Sequence, residues 1–140
     1  MVDRDVVLAK AAIIQRCLER IGQVTALDPA SLDDIDKQDI FVLNLQRAVQ
    51  AAIDLGAHIL VTQELGMPAT LREIFVTLER HALISSPVSA KMQKMCGFRN
   101  IAVHDYQTLS KEILKAILTN DLKDLESFYA EALTLLPPGP

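Results

Sequence analysis

The sequence contains no tryptophan, few other aromatic residues and only two cysteines. Its two cysteines, Cys17 and Cys96, form neither a Cys-x-x-Cys pair nor a Cys/His pattern with the spacing of metal ligands. We therefore expect no zinc site, no other metal and no cofactor. Both cysteines are expected to behave as small buried apolar residues.

Long hydrophobic runs are also missing. No uninterrupted apolar stretch approaches the roughly 20 residues that a membrane-spanning helix needs, and the N-terminus carries Asp3 and Asp5 without the apolar core of a signal peptide. A cytoplasmic protein without membrane contact is expected. The formal net charge of -4 argues against nonspecific binding of nucleic acid by the whole surface, but it allows a local basic site.

The apolar residues that are present recur with the helical period rather than the period of two that strands show. Half of the residues are hydrophobic, and the packing falls mainly to Ala, Leu, Ile and Val. The pattern predicts helices over about 3–25, from Ser31 or Asp33 to about 64, over 70–81, from 86 to at least 102, and over 108–135. The sequence therefore predicts one all-α domain at 1–136, a bundle of four or five helices, with a proline-rich tail at 137–140.

Two of these helices have specific start signals. Thr70-Leu71-Arg72-Glu73 has the form of a capping box, with Glu73 at the third helical position. Ser86 is expected to cap the next helix, with Pro87 as its first residue.

One segment concentrates chemically useful side chains. Arg99, His104 and Tyr106 form an R-x4-H-x-Y arrangement that uses one of three histidines and one of two tyrosines. A guanidinium can hold a phosphate, an imidazole can transfer a proton near neutral pH, and a phenol offers a modifiable hydroxyl. Asn100 lies on the helical line of His104. The arrangement predicts a site that binds a phosphodiester and moves protons.

Such a site suits RNA cleavage without a metal ion, because the RNA 2′-hydroxyl is an internal nucleophile that needs a base, an acid and positive charge. One histidine does not conveniently fill both proton-transfer roles, so we expect a two-fold dimer that brings two motifs together. The structural alternative is that Arg99 pairs with an acid of a neighbouring helix, His104 is partly buried, and Tyr106 packs at the helix end.

Basic residues surround the motif. The stretch from Arg80 to His104 contains no Asp or Glu and is the longest acid-free window in the chain. Lys91 and Lys94 lie within it and are candidates for a groove that extends the site. The alternative is a helix whose solvated face happens to be basic.

The segments Gly97-Phe98-Arg99-Asn100 and Val103-His104-Asp105-Tyr106 resemble the R-x4-6-H motif of HEPN domains. The form of the motif looks like that of the HepT branch (the DUF86 family), toxins encoded beside a minimal nucleotidyltransferase, MNT. The resemblance covers nearly the whole chain and includes the long second helix with Arg47, Ala52-Ile53-Asp54-Leu55-Gly56 and His58.

This resemblance implies an up-down helical bundle that forms a homodimer and cleaves messenger or transfer RNA at the dimer cleft. Arg99 and His104 would be catalytic, with Asn100 and Asp105 in support. The MNT antitoxin would neutralise the toxin by transferring AMP from ATP to Tyr106, since added phosphates would occupy the anion site and repel RNA. The alternative is a binding partner and substrate of the nucleotidyltransferase that has no nuclease activity.

Three residues of the second helix are further candidates for the groove. Arg47, Asp54 and His58 are polar positions of a largely apolar helix, and Asp54 and His58 are four residues apart, so they can share a face. They either line the dimer groove or form polar contacts between helices.

Overall fold

The computed structural model describes residues 2–105 and 109–137. The helices are α1 (Arg4–Thr25), α2 (Ile35–Thr62), α3 (Leu71–Arg80), α4 (Ser86–His104), α5 (Lys111–Ala116) and α6 (Leu122–Leu133). A 3-10 turn (Pro29–Asp33) precedes α2, and a π turn (Ile117–Asp121) joins α5 to α6 without a break. If α5 and α6 are counted as one helix, the described residues form five helices and no strand. This confirms the predicted all-α bundle.

Side-chain caps fix where the helices begin. Asp3 and Asp34 each accept two backbone N–H groups at the starts of α1 and α2, and Thr70 Oγ1 accepts the N–H of Glu73 at 3.3 Å. Each cap satisfies donors that the first turn of a helix leaves without partners. The Thr70 contact confirms the predicted start of α3.

Two predicted boundaries are shifted by a few residues in the structure. The second helix begins at Ile35 rather than at Ser31 or Asp33, because Pro29 opens a 3-10 turn that is capped by Asp28. The cap of α4 is Ser85, whose hydroxyl accepts the N–H of Val88, so the helix begins one residue before Pro87. Proline fits in the first turn of a helix because its missing N–H is not needed there.

The core is built around α2, which packs against α1, α3, α4 and α6. Thirteen of its residues are buried, too many for the single stripe of a surface helix. Phe75 and Phe128 pack edge to face in the same core with ring centroids 5.3 Å apart. Both cysteines are buried free thiols, as predicted. None of the helices in the described part of the chain is both long enough and apolar enough to cross a lipid bilayer.

A glycine lets α3 approach α2 closely. A Cβ atom at Gly56 would lie 2.9 Å from Cγ2 of the buried Ile74, whereas a Cβ atom at Gly22 of α1 would meet no atom within 4 Å. The two positions therefore have the same backbone conformation but opposite steric surroundings.

We predict opposite effects of alanine at these two helical glycines. Gly22→Ala should raise the free energy of unfolding by about 0.5–1 kcal/mol, because alanine loses less conformational freedom in a helix. Gly56→Ala should lower it by about 1–3 kcal/mol, because the core is already filled. Urea unfolding followed by circular dichroism measures both, and shifts in the same direction would contradict the packing described here.

Candidate functional site

Arg99 of α4 is held by a chain of hydrogen bonds that crosses three helices. Its Nε donates to Oε1 of Gln50 on α2 at 3.2 Å. The amide nitrogen of Gln50 donates in turn to Oδ1 of Asp54 at 2.8 Å, and Lys10 of α1 pairs with Oδ2 of Asp54 at 3.3 Å. We call this set, Lys10–Asp54–Gln50–Arg99, the relay. It fixes the direction of a half-buried guanidinium.

The relay orients Arg99 without neutralising it. The direct partner is a neutral amide, and no carboxylate of residues 2–105 or 109–137 forms an ion pair with Arg99. Asp54, the acid of the relay, is already paired with Lys10. The alternative in which Arg99 pairs with an acid of a neighbouring helix is therefore absent from the described residues. The charge of Arg99 is available to an anion.

Arg99 borders a shallow groove between α2 and α4. The groove has a volume of about 240 Å³ and is lined by Leu43, Gln46, Arg47, Gln50, Arg99 and Val103. Two of its apolar residues are unusually open to solvent, with Leu43 exposed to 46% and Val103 to 47%. The predicted groove residue Arg47 lies here with Arg99.

The rest of the motif lies at the end of α4. Asn100, His104 and Asp105 are exposed, so His104 is not the partly buried residue of the structural alternative. Asp105 caps the helix, and its backbone N–H donates to the carbonyl of Ile101 at 2.8 Å. Tyr106 lies outside the described residues.

Asp54 and His58 do share a face of α2, and both contact α1. Asp54 pairs with Lys10, and Nε2 of His58 accepts the backbone N–H of Asp3 at 3.2 Å. Of the two, Asp54 connects to Arg99 through Gln50, whereas His58 contacts the start of α1. The structure thus gives both residues the role of polar contacts between helices.

Lys91 and Lys94 lie on a different side of α4 from Arg99. Lys91 pairs with the buried Asp124 of α6 at 3.3 Å, without hydrogen-bond geometry, and Lys94 pairs with Asp121 of the π turn at 3.9 Å. Both lysines line a separate apolar pocket of about 350 Å³ between α4 and the last helix. The structure does not bring them together with Arg99.

Cys96 is a buried residue of α4, three positions before Arg99. Burial raises the pKa of its thiol to about 11, and the nearby charges of Arg72 and Arg99 oppose that shift. A thiol with so high a pKa is a poor nucleophile near neutral pH. Among the described residues, no three His, Cys, Asp or Glu side chains converge as metal ligands would.

Gln50 is the functional candidate that the sequence analysis missed. It lies three residues after Arg47 and four before Asp54, so its spacing placed it on the same helix face. A glutamine on the helix face of these two candidate residues was the sequence signal that could have identified it. Its contact with Arg99, 49 residues away, required the packing of α2 against α4.

Comparison with known proteins identifies relatives that match most of the chain. The family model of HepT-like ribonucleases matches residues 14–132. A protein of Shewanella oneidensis named mRNA nuclease HepT is 42% identical over 124 residues, which cover 89% of this chain and 93% of the relative. A protein of Aphanizomenon flos-aquae named tRNA nuclease HepT is 31% identical over 105 residues, which cover 69% and 71% of the two chains.

A solved structure matches the fold as well. It is the tri-AMPylated HEPN toxin of Shewanella oneidensis in complex with its MNT antitoxin. The similarity has a TM-score of 0.88 at 40% sequence identity and covers 94% of this chain and 99% of that one.

We predict that Gln50→Leu frees the Arg99 side chain. Without the glutamine acceptor, the Nε–H of Arg99 faces water, so its signal in a ¹⁵N NMR spectrum should weaken through faster hydrogen exchange. Arg99→Lys assigns the signal. Gln46→Leu, one turn away in the same groove, should leave it unchanged. A signal that survives Gln50→Leu would contradict the relay.

Proposed function

Because the chain belongs to the HepT-like ribonuclease family, we propose that it is the toxin of a HEPN/MNT toxin–antitoxin pair and cleaves RNA without a metal ion. Relatives carry the names mRNA nuclease and tRNA nuclease. Messenger RNA is the first substrate to test, since the relative with that name shares more of this sequence. We place the activity in the cytoplasm, where both kinds of RNA take part in translation.

The observation that carries this proposal is the state of Arg99. Its guanidinium is oriented by Gln50, remains without a described acidic partner, and lies on the same helix as the exposed Asn100 and His104. An oriented arginine without a described acidic partner suits a phosphodiester substrate, because the guanidinium can bind two phosphate oxygens at once. The exposed imidazole of His104 is accessible for proton transfer.

The proposed chemistry is an internal transfer within RNA. The 2′-oxygen attacks the adjacent phosphorus as a base removes its proton, and the bond to the 5′-oxygen breaks as an acid protonates that oxygen. Arg99 stabilises the negative charge that develops on the phosphoryl oxygens. His104 transfers protons, with Asn100 and Asp105 supporting the site. No step requires a metal ion or cofactor.

We propose that two copies of the chain form the complete site. Arg99 and His104 are five residues apart, which is about 140° around a helix axis, so one copy presents them on different sides of α4. Two copies supply two imidazoles, one for each proton transfer. The exposed Leu43 and Val103 beside Arg99 give this face an apolar contact for the second copy.

We propose that the MNT antitoxin neutralises the chain at Tyr106. The phenol oxygen forms a bond to the α-phosphorus of ATP, the bond to the β-phosphate bridge breaks, pyrophosphate leaves, and the phenol proton passes to a base. Tyr106 is two residues from His104 in the sequence. An added phosphate would compete with RNA for the arginine and repel the RNA backbone. The relative in the solved complex is itself AMPylated.

We predict that the purified chain cleaves RNA in the presence of EDTA and that His104→Ala reduces the rate by at least about a hundredfold, the contribution of one acid or base. His81→Ala, at the exposed end of α3, is the control and should cleave normally. Gel analysis of labelled messenger RNA measures the rate. Wild-type protein that cleaves neither messenger nor transfer RNA would instead support a binding partner without nuclease activity.

Mixing inactive variants tests the shared site. Arg99→Ala and His104→Ala should each be inactive alone but regain part of the activity when mixed, if each composite site draws residues from both copies. If the mixture did not regain activity under conditions in which subunits exchange, all the essential groups would lie in one chain.

We predict that the MNT antitoxin and ATP add AMP to Tyr106 and abolish cleavage. Intact mass spectrometry should detect the added AMP, and Tyr106→Phe should remain unmodified and resist neutralisation, because it lacks the acceptor hydroxyl. Tyr129→Phe controls for the other tyrosine, which receives a hydrogen bond from Gln15. If Tyr106→Phe gained as much AMP as the wild-type chain, the residue that accepts AMP would be another one.

A further inference from the structure

Gly97, within the motif segment, is in close contact with an arginine of another helix. A Cβ atom built at Gly97 would lie 2.7 Å from Nη2 and 3.8 Å from Cζ of Arg72. The first distance is shorter than carbon and nitrogen atoms tolerate without a bond. The guanidinium of Arg72 therefore occupies the space that any larger residue at position 97 would need.

Arg72 is the second residue of α3 and reaches α4 because the two helices pack together. The close approach of α3 to α2 at Gly56, and the hydrogen bond from Ser89 of α4 to the carbonyl of Phe75, hold α3 in that position. The position of the first turn of α3, from which Arg72 extends, thus follows from the core.

The guanidinium lies on the same side of α4 as the proton-transferring residue. Gly97, Asn100 and His104 are separated by three and four residues and therefore share a helix face. Arg99 points elsewhere, toward Gln50 of α2. At 1.5 Å per residue, position 97 is about 10 Å along the axis from His104. That separation is too great for Arg72 to act on the atoms that react at His104.

The charge of Arg72 is not neutralised by a described carboxylate. Arg72 forms no ion pair in residues 2–105 or 109–137, and its side chain is exposed. Arg72 and Arg99 both lower the pKa of the buried Cys96 thiol, which places both positive charges close to the same residue of α4. Two arginines thus flank α4 at the start of the motif.

We propose that Arg72 is a second phosphate-binding residue of the RNA site and contacts a backbone phosphate that neighbours the cleaved one. Gly97 permits this by leaving room for the guanidinium. The inference rests on the proposed ribonuclease function and adds a residue that binds the substrate rather than reacts with it. Backbone phosphates are the main source of affinity for RNA, so such a contact should matter most for binding.

The test measures binding in a protein that cannot cleave. With His104→Ala as the background, Arg72→Gln should weaken the affinity for a fluorescent single-stranded RNA about tenfold at 0.1 M salt, as expected for one charged hydrogen bond. The slope of log affinity against log salt should fall by about 0.7, the value for one phosphate contact on a single strand. Fluorescence anisotropy over a potassium chloride series measures both.

Arg80→Gln provides the matched control, since Arg80 is an exposed arginine at the other end of α3 and its replacement changes the net charge equally. Its affinity and salt slope should stay close to those of the background. Equal effects of Arg72→Gln and Arg80→Gln would overturn the inference. Weaker binding of the antitoxin with unchanged binding of RNA would also overturn it and assign Arg72 to the protein partner.

Gly97→Ala tests the contact by another route. The added methyl should displace the guanidinium and weaken RNA binding, and the effect should largely vanish when Arg72 is already Gln, because the two residues act through one contact. Thermal unfolding identifies any loss of folded protein. Full additivity of the two changes in a folded protein would contradict the contact. Failure of the wild type to cleave any RNA would reject the proposed function, whereas cleavage with normal binding by Arg72→Gln would reject the inference alone.

Discussion

The burial of α2 among four neighbouring helices is the constraint on which the proposed site depends. Thirteen of its 28 residues are buried, and its half-buried Gln50 and Asp54 lie within reach of two neighbouring helices. There they meet Lys10 of α1 and Arg99 of α4. The side chains of the relay are half-buried, and hydrogen bonds in a chain polarise one another, so each contact of the relay supports the next. The direction of Arg99 is consequently a property of the core and not of α4 alone.

On the opposite side of α4, the proposed site depends on helix packing through two glycines. Gly56 lets α3 approach α2, and Gly97 leaves space for Arg72 at the start of α3. A Cβ atom at Gly56 would press on the buried Ile74, so this glycine sets how closely α3 packs on α2. A Cβ atom at Gly97 would instead displace the end of the Arg72 side chain, so this glycine leaves room for a positive charge. The glycine of the Gly-Phe-Arg-Asn segment therefore has a steric explanation that does not depend on backbone flexibility.

The fold could be predicted because helix period, caps and breakers are local properties of the sequence. Thr70 starts α3 as expected, but Ser31 does not start α2, since Pro29 and Asp28 form a 3-10 turn first. The π turn inside the last helix escaped prediction because the apolar period continues through it. The contiguous motif of the site could be recognised in the sequence, but the residues of other helices that contact the site could not. Gln50, Arg72 and the acidic partners of Lys91 and Lys94 come from other helices, and their contacts exist only once the helices pack.

The distribution of charge explains how an acidic protein can have a site for a polyanion. Lys91 and Lys94, which appeared to extend the basic groove, are paired with Asp124 and Asp121, whereas Arg72 and Arg99 have no described acidic partner. The uncompensated positive charge near the motif is therefore concentrated in a few arginines rather than spread over the surface. A site built on so few charges depends on its geometry, because the net charge of -4 disfavours nonspecific contact with RNA over the surface as a whole. AMP added at the proposed position, Tyr106, would act on the same few charges, since its phosphate would compete for an arginine and make the local potential more negative.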